Sequence, residues 1–196
     1  MLDRRGFLIG LALSGLAAPQ IGWALSGTEA ERLINSVVND INAAIDSGRS
    51  EAAILQEFER IFARYSDTAY IAAYTMGVDG RRASAAQKRA YSGAFQSYLS
   101  SKYGRQFREF SGGRLTVEGV RQVKSWFEVD TIAYLPGEAP FAVTFQVSNR
   151  TGRNLFFNMY VEGVNLLLNE RNEIGSLLDK NRGDIDAMIR ELEQRS

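Results

Sequence analysis

The spacing of apolar residues changes at Gly112 and Gly113, and this change restricts the possible folds more than any other sequence feature. Before the two glycines, apolar residues recur at three- and four-residue steps, which indicates amphipathic helices. After them, apolar residues alternate with polar ones, as at Phe141, Val143 and Phe145, which indicates half-buried strands. Helices followed by antiparallel strands are typical of an α+β fold. We therefore predict N-terminal helices packed on a twisted antiparallel sheet of about four strands, with two further helices at the C-terminus.

The first 24 residues resemble an export signal. Arg4 and Arg5 precede an apolar run over residues 7–18, which is too short for a membrane-spanning helix of roughly 20 residues. Pro19 ends the run, and Gly22 and Ala24 supply the small residues at the two positions that a signal peptidase reads. The adjacent arginines are similar to a twin-arginine signal, although a Sec signal remains an alternative. We expect cleavage after residue 24, a single domain over residues 25–196, and a periplasmic location.

Composition excludes several classes of function. The sequence has no His and no Cys, which rules out a Ser-His-Asp triad, a thiolate nucleophile and any His- or Cys-based metal site. Its 23 basic and 23 acidic residues balance, so there is no electrostatic reason to expect nucleic acid as a partner. We expect a monomer that uses no metal and no cofactor.

One predicted helix carries an aromatic stripe. Tyr91, Phe95, Tyr98, Tyr103, Phe107 and Phe110 follow one another at helical spacing, together with Leu99. Such a stripe usually packs into a core against a sheet, but it can also form the wall of an apolar cleft. The same two interpretations apply to the apolar residues of the strands.

Two stretches carry motifs that match one known protein family. The first is "YTMGVDGRRASAAQKRAYSGAFQSYLSSKYGRQF", in which the matching positions are Gly77, Ala83, Ser84, Gln87, Phe95, Leu99 and Tyr103. The second is "FFNMYVEGVNLLLNERNEI", in which residues 161–164 and Arg171 match a strand, turn, strand and helix start. Both stretches resemble the periplasmic phospholipid carriers of the maintenance-of-lipid-asymmetry (Mla) pathway, the MlaC-like or toluene-tolerance family. The similarity extends over nearly all of the chain that follows the export signal.

The resemblance implies an apolar cleft between sheet and helices that holds phospholipid as cargo, without catalysis. The implied lipid-tail residues are Tyr74, Phe95, Tyr98, Leu99, Tyr103, Phe127, Val129, Val143, Phe145, Phe157, Met159 and Val161. Arg171 would contact the headgroup phosphate, or it would form a structural ion pair with Glu162. The implied partners are an inner-membrane ABC transporter complex with its periplasmic lipid-binding subunit, and an outer-membrane lipoprotein complex.

Two other classes of function remain open at the level of the sequence. A small α+β cleft enzyme could use Glu128 or Asp130, beside Trp126, as a base with a raised pKa. No second catalytic residue accompanies them at a recognisable spacing. An envelope adaptor could instead hold a partner's helix in the apolar cleft.

Overall fold

The computed structural model describes residues 25–106 and 113–196. The predicted export signal, Phe107 and Phe110 therefore lie outside the described residues. Within these described ranges, the helical part consists of six α-helices and a short 3₁₀ turn, Gly77–Arg81. The helices are α1 (Gly27–Ile45), α2 (Glu51–Tyr65), α3 (Thr68–Met76), α4 (Ala85–Gln106), α5 (Leu166–Lys180) and α6 (Ile185–Arg195). None of the helices in the described part of the chain is long and apolar enough to span a bilayer.

Polar side chains define where the helices begin. Ser26 accepts a hydrogen bond from the backbone N–H of Glu29, and the Glu29 carboxylate accepts from the Ser26 N–H in return. This reciprocal pair is a capping box, which satisfies donors that the first helical turn leaves free. Asn165 caps α5 in the simpler way, by accepting from the N–H of Leu168 at 3.0 Å.

The strands form one antiparallel sheet in the order β1-β2-β3-β4-β5. They are β1 (Arg114–Val123), β2 (Trp126–Tyr134), β3 (Phe141–Ser148), β4 (Leu155–Val161) and β5 (Val164–Asn165). The prediction of an α+β fold with a sheet of about four strands is confirmed, and the fifth strand has only two residues. Glu162 and Gly163 both have positive φ, so the chain reverses tightly between β4 and β5.

The buried apolar side chains of the described residues form two clusters. The sheet core joins one face of the sheet to α1 and α2, and its members include Val37, Ile41, Phe58, Ile61, Val129, Val143, Phe145, Val147 and Phe156. The helical core joins α3, α4, α5 and α6, and its members include Ile71, Tyr91, Phe95, Tyr98, Leu99, Leu167, Ile174 and Met188. The partly buried Phe62 packs against both clusters, so the two cores approach each other at its ring.

Candidate functional site

A cavity of about 820 Å³ lies where the two cores face each other. The sheet core contributes residues of α1, α2 and the sheet to its wall, and the helical core contributes Ile71, Leu99 and Leu167. Three of the lining residues, Glu138, Glu162 and Asn169, are exposed, so the cavity reaches the protein surface there. Its interior is apolar, as expected for a site that binds hydrocarbon.

Seven of the residues implicated by sequence line this cavity. They are Leu99, Tyr103, Val143, Phe145, Phe157, Met159 and Val161. Val143 pairs with Val161, and Phe145 pairs with Met159, across the antiparallel β3–β4 ladder. Cross-strand partners lie on the same face of a sheet, so these four side chains form one continuous patch of the wall. Leu99 and Tyr103, four residues apart on α4, face the patch from the helical side.

Five other implicated residues lie outside the lining of this cavity. Phe95 stacks on Tyr91 inside the helical core, with ring centroids 5.4 Å apart, and Tyr98 is buried beside it. Tyr74 packs against Tyr70, while Phe127 and the fully buried Val129 belong to the packing of β2 on α1. A lipid contact for these five residues stays a prediction.

Part of the wall was missed at the sequence level. The apolar residues missed are Val37, Ile41, Phe58, Ile61, Phe62, Ile71, Leu115, Leu135, Phe141, Phe156, Leu166 and Leu167. The sequence does show that one side of α1 and of α2 is apolar, because their apolar residues recur at helical spacing. That spacing identifies a buried stripe, but it does not reveal that some members of the stripe face a cavity.

A polar cluster of Tyr98, Lys102, Tyr103, Glu170 and Glu173 borders the cavity between α4 and α5. The Lys102 Nζ donates to Glu170 Oε1 at 2.7 Å and to Glu173 Oε2 at 2.5 Å. The Tyr103 hydroxyl donates to Glu170 Oε1 at 2.5 Å, and the Tyr98 hydroxyl donates to Glu173 Oε1 at 2.6 Å. No part of this cluster was identified from the sequence as a polar site, although Glu170 and Glu173 have the i, i+3 spacing of one helix face.

Burial and charge shift the titration of this polar cluster. Burial raises the pKa of Tyr103, and the neighbouring Glu170 carboxylate raises it further. Burial alone would lower the pKa of Lys102, but its hydrogen bonds to Glu170 and Glu173 outweigh burial and raise the pKa overall. Burial would likewise raise the pKa of Glu173, yet bonds from Lys102 and Tyr98 lower it. Lys102 is therefore a cation and Glu173 an anion at neutral pH.

Arg171 lies apart from the cavity lining. Its Nη1 donates to the backbone carbonyl oxygen of Tyr74 at 3.2 Å, and its guanidinium carbon lies 5.1 Å from the centre of the Tyr74 ring. Among the described residues, Arg171 makes these contacts with Tyr74 and forms no ion pair with Glu162. This geometry connects α5 to the end of α3.

The carboxylates considered as catalytic bases are held in ion pairs on β2. Arg121 bridges Glu128 and Asp130, while Gln146 and Thr144 donate to them at 2.9 and 2.7 Å. Burial alone would raise the pKa of Glu128, but bonds from Gln146 and Arg121 make the net shift a lowering. The expectation that Glu128 has a raised pKa, as a catalytic base would need, is therefore wrong. Within the described residues there is also no group of His, Cys, Asp and Glu arranged to hold a metal ion.

Comparison with known proteins places these features in a family. The model of the "MlaC protein" family matches residues 31–194, which is most of the sequence. The chain belongs to the MlaC family. Membership of the MlaC family points to a carrier or binding protein rather than an enzyme.

A solved structure has the same architecture as this MlaC-family chain. It is a phospholipid-binding protein from Ralstonia solanacearum, determined in complex with a phospholipid. The two structures match with a TM-score of 0.72 and 18% sequence identity, over 85% of this chain and 96% of that one. At this identity the match establishes the shared fold.

Proposed function

We propose that this MlaC-family protein binds phospholipid in the periplasm and shuttles it between membrane complexes. The observation that carries the proposal is the apolar cavity of about 820 Å³ between the sheet core and the helical core. The proposed donors and acceptors are an inner-membrane ABC transporter complex with its periplasmic lipid-binding subunit, and an outer-membrane lipoprotein complex. The lipid is cargo, and the carrier acts as a monomer without a cofactor.

The size of the cavity suits two acyl chains. An apolar cavity of about 150 Å³ is enough to bind benzene, which has six carbons. By the same scale, about 820 Å³ accommodates roughly thirty carbons, which is the hydrocarbon content of one diacyl phospholipid. The volume between the two cores is therefore of the size that the acyl chains of one phospholipid require.

The energetic reason for a carrier is the cost of exposing hydrocarbon to water. Thirty methylenes at about 0.8 kcal/mol each amount to more than 20 kcal/mol, so a free phospholipid does not cross an aqueous space. The patch formed by Val143, Phe145, Met159 and Val161 offers an apolar surface in place of the bilayer. Transport of this kind requires no covalent chemistry.

We place the phosphate of the headgroup close to solvent. The exposed lining residues Glu138, Glu162 and Asn169 mark the opening of the cavity. Lys102 is the only cation among the described lining residues. It already forms ion pairs with Glu170 and Glu173, so its charge is not available to a phosphate. A phosphate buried in the interior would lack a charge partner and would be strongly disfavoured.

The test is to identify what co-purifies with the protein. Purified periplasmic protein should be extracted with organic solvent, and the extract analysed by mass spectrometry. Phospholipid at about one molecule per chain is expected. An empty polar pocket would favour the cleft enzyme, and a bound protein would favour the adaptor.

Shuttling requires a separate measurement. Fluorescent phospholipid loaded on the purified protein should move to each reconstituted membrane complex, and from at least one complex back to the protein. Weak and transient docking is expected, since a carrier must leave both partners. If lipid binds but never moves to or from either complex, the binding site stands and the shuttle does not.

A further inference from the structure

The large apolar side chains that are exposed in the described residues lie together at one joint of the fold. They are Val78, Val164 and Leu168, with 62%, 49% and 44% of their surface exposed. Val78 follows the end of α3, while Val164 and Leu168 flank the start of α5. None of the three lines the cavity. Exposed apolar residues that gather at one place mark interaction sites, whereas scattered ones are ordinary.

Arg171 lies between these apolar side chains. Its guanidinium packs against Gly77, the residue before Val78, where a Cβ would lie 3.2 Å from the Arg171 Cζ. Leu168 precedes Arg171 by three residues on α5, which makes the two side chains neighbours on the helix surface. The half-buried Tyr74 has its ring centre 5.1 Å from the guanidinium carbon. We call Tyr74, Val78, Val164, Leu168 and Arg171 the α3–α5 patch.

The patch carries positive charge that the described residues do not neutralise. Arg171 donates from Nη1 to a backbone carbonyl oxygen and has no carboxylate partner among them. Its Nε and Nη2 make no hydrogen bond there, and neither belongs to the side-chain atoms that are both buried and unpaired, so solvent reaches both. Arg81, three residues after Val78, is exposed and also lacks an acidic partner in the described chain. The carboxylate of Asp79 is already bound by Arg82 at 2.8 Å.

The patch borders the opening of the cavity. Asn169 follows Leu168 directly, and Glu162 precedes Val164 by two residues. Asn169 and Glu162 are exposed residues of the cavity lining. A partner seated on the patch would therefore lie beside the opening. Arginine and tyrosine surrounded by apolar side chains are also typical of the residues that contribute most to protein–protein binding.

We propose that the α3–α5 patch is the docking site of a protein partner that presents apolar side chains and a carboxylate, and that the carboxylate pairs with Arg171. The inference rests on the proposed function and adds to it the surface by which the carrier meets a membrane complex. The unpaired guanidinium supplies the charge for such a pair, and the apolar residues around it exclude water from the contact.

A lipid bilayer is a poorer occupant of the patch. Binding to anionic lipid typically uses clusters of about four to eight Lys and Arg residues, and Arg81 and Arg171 fall short of that number. None of the exposed apolar residues is aromatic. A bilayer on this side would also meet the exposed carboxylates of Glu138 and Glu162 at the opening, which anionic lipid repels.

The first test measures lipid transfer from patch variants. Fluorescent phospholipid is loaded on the intact protein, and its transfer to each reconstituted membrane complex is followed. Leu168→Glu places a carboxylate against the partner's carboxylate and should slow transfer to at least one complex roughly tenfold, with bound lipid unchanged. Leu168→Lys removes the same apolar side chain but adds the favourable charge, so it should slow transfer less.

A second variant and a control accompany this test. A glutamate in the first turn of α5 favours the helix, so Leu168→Glu should fold, and circular dichroism checks it. Val78→Glu, in the exposed 3₁₀ turn, should slow transfer in the same way and replaces Leu168→Glu if that variant does not fold. Ala63→Glu, at an exposed position on α2, should transfer lipid at the unmodified rate.

The second test detects docking without lipid transfer. The chain has no Cys, so Leu168→Cys gives a single attachment point for a photoactivatable maleimide cross-linker. Illumination with each purified complex should join the carrier to a subunit of at least one of them, and Ala63→Cys should give no such product. The unmodified protein should not sediment with vesicles of phosphatidylethanolamine and phosphatidylglycerol.

The outcomes separate this inference from the proposed function. If the cross-link forms but lipid never moves, the docking site stands and the shuttle is wrong. If lipid moves and Leu168→Glu and Val78→Glu both transfer it at the unmodified rate, the docking site is wrong and the shuttle stands. Equal slowing by Leu168→Glu and Leu168→Lys would overturn the partner's carboxylate. Sedimentation with the vesicles, or cross-linking only to a second copy of the chain, would overturn docking to a membrane complex.

Discussion

Arg171 and Tyr74 are joined across two helices by a hydrogen bond of 3.2 Å from the guanidinium to the backbone carbonyl oxygen. The glycine that follows this end of α3, Gly77, has a φ of +59° and lies against the same guanidinium. A Cβ at Gly77 would lie 3.0 Å from Arg171 Nη2, so a larger residue would disturb the contact. The arginine thus holds α5 against the end of α3.

The first prediction follows from this contact. Arg171→Ala should lower the free energy of unfolding by about 1–3 kcal/mol, because it removes a charge-assisted hydrogen bond and a contact with the Tyr74 ring. The lipid content of the folded protein should not change. Urea unfolding and lipid extraction on the same preparation measure both quantities. Arg171→Lys is the control and should recover only part of the stability, since an ammonium lacks the planar geometry of the guanidinium. Loss of lipid at unchanged stability would instead assign Arg171 to the headgroup.

The second prediction concerns the cavity wall. Val143→Trp should displace lipid and leave the fold largely intact, because an open cavity accepts volume that a packed core does not. The matched control is Val147→Trp, on the same strand and the same face but fully buried outside the cavity lining. That substitution overpacks the sheet core and should lower the free energy of unfolding by about 1–3 kcal/mol. Thermal unfolding and bound lipid should be measured together. If both variants unfold alike and lipid content per folded molecule is unchanged, Val143 is ordinary core.

The third prediction is a pH dependence that arises at Glu191. Hydrogen bonds from Lys180, Asn181 and Arg195 lower the pKa of Glu191 from 4.5 to about 2. Because the folded-state pKa is the lower one, this contribution to stability is complete above about pH 4.5 and is lost as the pH falls towards 2. Glu191→Gln should therefore reduce the fall in unfolding free energy between about pH 5 and pH 2.5. Urea titrations at several pH values give the slope of the unfolding free energy against pH. Glu193→Gln, on the same helix, should keep the original slope, and an unchanged slope in Glu191→Gln would contradict the assignment.

The fourth prediction concerns export. Residues 1–24 should be cleaved during export. N-terminal sequencing of the periplasmic protein should therefore begin at or near Leu25. Replacement of Arg4 and Arg5 together by Lys should block export through the twin-arginine route, whereas a Sec signal should tolerate it. Fractionation of cells that express the unmodified chain or the double-Lys variant shows how much of each reaches the periplasm. An intact chain in the membrane fraction would contradict cleavage.

The sequence alone determined the types and order of the main elements. The change from helical to alternating spacing near Gly113 separates α1 to α4 from the strands, and the observed fold follows that division. These features are local, since periodicity reflects which side of one element is buried. Local patterning therefore sufficed for the α+β class, and motif similarity for the family.

Only the tertiary structure decided which buried residues line the cavity. On α4, Phe95 and Leu99 belong to the same apolar stripe and to the same helical core, yet Leu99 also lines the cavity and Phe95 does not. The polar cluster is equally non-local, because Lys102 and Glu170 meet across 68 residues of sequence. Hydrophobic spacing predicts which side of an element is buried, but not what that side contacts. Those contacts are defined only when α1, α2, α5 and the sheet are packed together.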